Sequence, residues 1–275
     1  MNDAFDSGEK IITSYRASKN FDQSLMAMGS SVGFFRECRF LHAPRNLLNL
    51  STFVSGTGFL ISSEVFDYKK GWSYNTISED YQLTCDKVIK GTRVAYCNDA
   101  IFYDEQPTTL KQTYRQRLRW QKGCYIIFGM FLGNLLFKMV NTLKFTFFDF
   151  IVHLGPIPLC STSWALFNGL WAFIECVVKI IAGEPFALTV GLLLLSLLKF
   201  FALLYLGFFI YGSLSVLKDW KRIKTTNKKK ILSMLAYPIF MISLIPIPFI
   251  SLFKKIEWKP IKHSSSKTVS DIEKQ

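Results

Sequence analysis

The chain has 275 residues, half of them hydrophobic, and its 33 Lys and Arg outnumber 20 Asp and Glu to leave a formal net charge of +13. That excess is uneven: residues 1–122 carry +3, while residues 123–275 carry +10 together with nearly all the long apolar runs. The basic surplus therefore belongs to a membrane half, where it marks cytoplasmic loops and contacts with anionic lipid. No Lys/Arg stripe with interleaved aromatics occurs in the first half, which excludes nucleic acid as a partner.

The opening Met1-Asn2-Asp3-Ala4-Phe5-Asp6 has neither a basic segment nor an apolar one of the signal-peptide kind, so targeting falls to the internal apolar segments. Ile11-Ile12-Thr13-Ser14-Tyr15 reads as a short strand followed by a loop over 16–22. Residues 24–40 read as a helix with Leu25, Met28, Val32, Phe35 and Phe40 as its apolar positions. Thr52-Phe53-Val54 and Phe59-Leu60-Ile61 are strand-like and flank Ser55-Gly56-Thr57-Gly58. Ser78 is placed as the N-cap of a helix running to Lys90, stopped by Gly91. Arg93-Val94-Ala95-Tyr96-Cys97 makes another strand, and after Pro107 the pair Thr108 and Thr109 opens a further helix. Helices alternating with short strands give an α/β sheet domain.

Beyond residue 122 the pattern changes. The apolar run 126–136 is short and lies between Lys122 and Lys138, so it reads as an interfacial helix. The stretch 145–181 breaks near Gly155-Pro156-Ile157-Pro158 into an interfacial or re-entrant piece and a span over 160–181. The run 186–217 suffices for one tilted span, with Lys199 facing protein, water or an interface. The basic loop 218–230 is expected in the cytoplasm. Residues 231–253 have the length of a span but contain Pro238, Pro246 and Pro248, and basic residues on both flanks argue for a kinked or hairpin-like passage. The Ser- and Lys-rich final dozen residues are expected to be disordered. The expected organisation is thus 1–122, a partial cytoplasmic α/β domain; 123–158, interfacial helices; 159–255, transmembrane; and 256–275, a cytoplasmic tail. Six cysteines, at 38, 85, 97, 124, 160 and 176, show no C-x-x-C and indicate neither a disulfide framework nor a zinc site.

Chemistry concentrates in three places. In Gln116-Arg117-Leu118-Arg119-Trp120, helical spacing puts Gln116, Arg119 and Trp120 on one face. A guanidinium fork grips a diphosphate, and an indole offers a surface on which a sugar ring stacks. The competing reading is a basic membrane-surface helix with an interfacial Trp, and Arg115 and Arg117 fit that role. Ser78-Glu79-Asp80 gives a general base in Asp80, or simply an N-cap with acids complementing the helix dipole. Ser55-Gly56-Thr57-Gly58 is either a turn that brings backbone close to an acceptor or an ordinary tight turn. Trp258 and His263, past the last apolar run, stand where they could line the mouth of a site, though an interfacial anchor suits Trp258 better.

Phe53-Val54-Ser55-Gly56-Thr57-Gly58-Phe59, Ile77-Ser78-Glu79-Asp80-Tyr81 and Gln116-Arg117-Leu118-Arg119-Trp120 resemble family 2 glycosyltransferases with a GT-A (Rossmann-like) fold. The nearest branch is the membrane-embedded bacterial synthases related to hyaluronan, cellulose and poly-N-acetylglucosamine synthases. The resemblance covers most of the chain, with Ser78 where Thr is more usual. It implies Asp80 as the base of an inverting transfer, Glu79, Trp120 and the loop Ser55, Gly56, Thr57 and Gly58 at the acceptor, and Gln116 and Arg119 at the diphosphate. It also implies a nucleotide-sugar donor (a UDP-sugar), a glycan or lipid-linked acceptor, and a bacterial plasma membrane with the catalytic portion cytoplasmic. Such enzymes hold Mg²⁺ or Mn²⁺ through an Asp-x-Asp, and none occurs in this chain, so no metal ligand is assigned. The expectation is the C-terminal part of an enzyme, inactive alone and completed by a companion polypeptide that supplies the missing N-terminal half. Two rival expectations are a non-catalytic membrane-anchored protein for glycan binding or assembly, and a small transporter, the latter disfavoured by the lack of an inverted repeat.

Overall fold

A computed structural model describes residues 1–65, 71–256 and 268–273. The α/β part comprises α1 (Asn2–Asp6), β1 (Ile11–Ser18), α2 (Leu25–Glu37), a π-helical turn (Cys38–His42), α3 (Ala43–Leu47), β2 (Phe59–Ile61), α4 (Glu79–Ile89) and β3 (Val94–Asp104). Then follow α5 (Leu110–Thr142), α6 (Phe145–Leu154), α7 (Ile157–Ile181), α8 (Phe186–Lys218), α9 (Asn227–Ser243) and α10 (Ile247–Phe253). The strands form a mixed sheet of order β2-β1-β3, antiparallel between β1 and β2 and parallel between β1 and β3. β1 runs on to Ser18 and β3 to Asp104, beyond the expected ends at Tyr15 and Cys97, because a bulge between Ser14 and Tyr15 lets pairing resume at Tyr15↔Ile101.

Several local expectations are revised. Thr52-Phe53-Val54 is buried but is not a strand. Thr52 N–H reaches the Val94 carbonyl at 2.9 Å, but Val54 N–H turns to the Thr84 hydroxyl of α4 at 3.2 Å, so no ladder forms. The segment 126–136 is not a helix of its own. It continues α5, which begins in a capping box between Thr109 and Gln112 and runs unbroken for 33 residues. The passage over 231–253 is broken between α9 and α10 at Leu244–Pro246, where the prolines interrupt the ladder. In the tail, Val269–Glu273 forms a helical turn, α11, capped by Thr268 and Asp271, where no order was expected.

Four helical segments, α5, α7, α8 and the α9–α10 pair taken through its bend, are long and apolar enough to cross a membrane. Their outward surfaces are apolar: Trp164, Phe167 and Trp171 line up along α7 with 68%, 57% and 61% exposure. The α/β part shares its interior with these helices. One core joins Tyr15, Phe21, Met28, Val32 and Phe35 to Val216, Tyr237 and Phe240 of α8 and α9. The other joins Ile11, Phe53, Val54, Val88 and Val94 to Ile127 of α5 and Phe147, Phe150 and Leu154 of α6.

Candidate active site

Asp80 stands in the first turn of α4. Its Oδ1 accepts the Tyr81 N–H at 2.8 Å, while its Oδ2 faces the backbone of Gly56. Gly56 has φ +76°, and a Cβ there would lie 3.2 Å from Asp80 Oδ2, so both backbone and space call for glycine at this position. Burial pushes the Asp80 carboxyl up to about 6; the Tyr81 N–H lowers it, Glu79 raises it and the nearby Arg119 lowers it. Ser78 occupies the N-cap position but makes no side-chain cap, contrary to expectation. Its hydroxyl is instead packed toward α5, where a Cβ on Gly123 would fall 1.9 Å from it. Behind Asp80, Thr84 donates to the Asp80 carbonyl at 2.8 Å and accepts from Val54 N–H, fixing α4 against the segment that leads into the 55–58 loop. Tyr81 stacks on Phe53 at 4.9 Å, and its hydroxyl lies 3.4 Å from His153 Nε2 of α6. Burial pushes the His153 imidazole down to about 3, so it is neutral.

The α5 face meets this site from the other side. Arg119 Nη1 donates to the Ile77 carbonyl at 2.8 Å, which anchors the guanidinium one turn from Asp80. Gln116 Oε1 is buried without a protein donor. Trp120 packs edge-on to Phe34 of α2 with centroids 5.9 Å apart, and the Arg117 guanidinium lies 4.7 Å over its ring. Arg117 is therefore an interior residue, held among Phe34, Trp120 and Phe240, rather than a membrane-surface one.

The structure thus sets Gly56 of the 55–58 loop against Asp80, brings Arg119 within electrostatic reach of that carboxyl, and packs Trp120 of the same α5 segment on Phe34. It adds a residue that local sequence did not single out. Arg16, on β1, pairs with Asp104, reaches the Ser55 carbonyl at 3.5 Å and lies 3.8 Å over the Phe34 ring. Nothing in the sequence around Arg16 signals this; its partners are 39 and 88 residues away. Trp258 and His263 lie outside the described residues.

Among the described residues no group of three His, Cys, Asp or Glu converges as a metal site. Near Asp80 the other carboxylate is Glu79, and Asp104 is committed to Arg16. A hard divalent cation prefers six or more oxygen ligands, several of them carboxylate or water. The described residues by themselves offer no such set for Mg²⁺ or Mn²⁺, and no step is derived through either.

The sequence families give this arrangement its class. The model for glycosyl transferase family group 2 matches residues 27–216, a stretch that contains the glycine loop, Asp80 and the whole Gln-Arg-Trp face. The chain belongs to that family. A probable glycosyltransferase of Bacillus subtilis, YdaM, is 30% identical over 86 residues, 31% of this chain and 20% of that protein. A UDP-forming catalytic subunit of cellulose synthase from Dictyostelium discoideum is 26% identical over 132 residues, 44% of this chain and 12% of that protein. The matches thus span a fifth or less of these relatives. Glycosyl transfer is the chemistry of the family, and the mixed sheet with apolar helices after it suits a membrane-associated glycosyltransferase.

Proposed function

We propose that this glycosyltransferase chain forms the acceptor and leaving-group side of an inverting transfer. The donor is a UDP-sugar, the acceptor a glycan or glycolipid, and the site faces the cytoplasm at a bacterial plasma membrane. The observation that carries the reading is Asp80: a carboxyl raised to about 6, open toward the Gly56 backbone and within electrostatic reach of Arg119. An acceptor hydroxyl seated beside Gly56 gives its proton to Asp80 as its oxygen attacks the anomeric carbon. The bond to the diphosphate breaks in the same displacement, inverting that carbon. Arg119 and Gln116 receive the departing diphosphate, whose charge a guanidinium matches in pairs. Glu79, Trp120 and the Ser55, Gly56, Thr57 and Gly58 loop hold the acceptor sugar, with Trp120 as the stacking surface. The ligands for Mg²⁺ or Mn²⁺, where the reaction uses it, would come from outside the described residues, with a companion polypeptide as one source. The lack of three convergent carboxylates among the described residues equally favours a second reading, a membrane-anchored glycan-binding or assembly subunit.

The two readings separate by experiment. The chain is co-expressed with candidate companions carrying an Asp-x-Asp, and UDP release is measured in membranes. The expected result is transfer only with a companion, lost by about 100- to 10,000-fold in Asp80→Asn while UDP affinity stays within about twofold. Glycan binding without transfer under every pairing supports the non-catalytic reading. Wild-type turnover by Asp80→Asn removes Asp80 as the base.

A further inference from the structure

A cleft lined by none of the Asp80-site residues lies between the carboxyl ends of β1 and β3 and the loop joining α8 to α9. It encloses about 360 Å³, within the range of small-ligand sites. Its floor is a two-by-two patch of the parallel ladder, Tyr15 beside Ile101 and Ala17 beside Tyr103. Its rim is Lys221, Arg222 and Lys224. The wall is firmly built: the Tyr15 ring sits between the guanidinium groups of Arg39 at 5.6 Å and Arg222 at 4.7 Å.

Charge accounting shows what the cleft lacks. The acids around it are already engaged. Asp219 pairs with Arg39, Asp99 with Arg222, and Asp22 with Lys229. Arg222 also donates to the Asn98 carbonyl at 2.9 Å. Among the described residues, no carboxylate lies within ion-pairing distance of Lys221 or Lys224. Lys230, near Lys224, is buried and, among the described residues, meets the Trp220 carbonyl at 2.7 Å and the Trp220 ring. Unmatched ammonium groups around a partly apolar floor suit an anion on an organic body. Lysine serves as a point-charge binder of phosphate.

We propose that this cleft binds a phosphate group carried on a small organic body. The phosphate rests on Lys221 and Lys224, and the body lies over Ala17, Ile101 and Tyr103. Two sources share that chemistry. Because the loop joins two helices apolar enough to cross a membrane, an anionic phospholipid can enter from the bilayer surface. A soluble phosphate ester can enter from water.

The full chain is placed in nanodiscs of phosphatidylcholine, with or without about 30% phosphatidylglycerol. In the lipid-neutral discs, inorganic phosphate and adenosine monophosphate are added separately. Lysine acylation is then read residue by residue by mass spectrometry, with exposed Lys228 of the same loop as the internal reference. Protection of Lys221 and Lys224 by at least about threefold relative to Lys228 is expected, with phosphatidylglycerol for a lipid source or with a soluble probe for a soluble one. In a direct equilibrium-binding titration of the effective probe, Lys221→Gln with Lys224→Gln should weaken its affinity by about tenfold or more, and Lys228→Gln with Lys254→Gln by no more than about twofold. Equal protection of Lys228 would mean diffuse surface attraction and overturns the proposal. So does protection by none of the probes, or equal weakening by both double variants.

Discussion

Asp80 is the residue on which the catalytic reading turns, and its surroundings predict a pH dependence. Its carboxyl is pushed up to about 6, first by burial. A general base works only when ionised, so the active fraction grows as pH rises through that value. In the assembled system, turnover should fall about tenfold per unit below pH 6 and level off above about pH 7. A flat profile of UDP release between about pH 5 and about pH 8 would remove Asp80 from the proton transfer. Much at this scale was legible in the sequence. The glycine loop and the acidic pair named the two sides of one contact, Gly56 against Asp80, and the Gln-Arg-Trp spacing named Arg119, which lies within electrostatic reach of it. Arg16 and Arg117 were not legible. Arg16 acquires its role from Asp104, Ser55 and Phe34, and Arg117 from rings on α2 and α9, so only long-range packing distinguishes them from any other arginine.

At the level of elements, the decisive contact is between the start of α4 and the middle of α5. Gly123 admits the Ser78 side chain; a Cβ there would sit 1.9 Å from Ser78 Oγ and 2.7 Å from Ser78 Cβ. Gly123→Ala should therefore push the two helices apart, costing about 1–3 kcal/mol and shifting Asp80 relative to Arg119. Ser78→Gly in the same chain should restore most of that loss, and melting curves of the four proteins in a double-mutant cycle check the coupling. Additive losses would place the cost elsewhere. Helix boundaries near these contacts explain the misread elements. Val54 N–H goes to Thr84 rather than to a neighbouring strand, so a β-prone run stays unladdered. The short apolar run 126–136 between Lys122 and Lys138 reads as a separate interfacial helix. It marks only a change in what surrounds α5, because a helix ladder is indifferent to the medium until a cap or proline intervenes.

Across the whole molecule, the α/β part and the apolar helices fold as one body, since both buried cores draw side chains from each. The ion pair between Arg39, in the π-helical turn, and the wholly buried Asp219, at the end of α8, is one tie between them. Arg39→Met strands a buried carboxylate and should cost about 3–5 kcal/mol, whereas adding Asp219→Asn should recover part of that loss. Thermal unfolding in detergent checks the order; a double variant less stable than Arg39→Met would contradict it. Composition and period determined a great deal by themselves: a mixed α/β region, long apolar helices and the spacing of the three motifs, while the glycosyltransferase family came from the resemblance those motifs carry. These are properties of local spacing, and local spacing survives without coordinates. Only the tertiary structure decided that Gly56 of the glycine loop faces Asp80, that Arg117 lies among the rings of Phe34, Trp120 and Phe240, and that Lys221 and Lys224, without an acidic partner among the described residues, rim a cleft under the α8–α9 loop. Each of those depends on contacts between residues far apart in the chain, and no sequence period encodes such a contact.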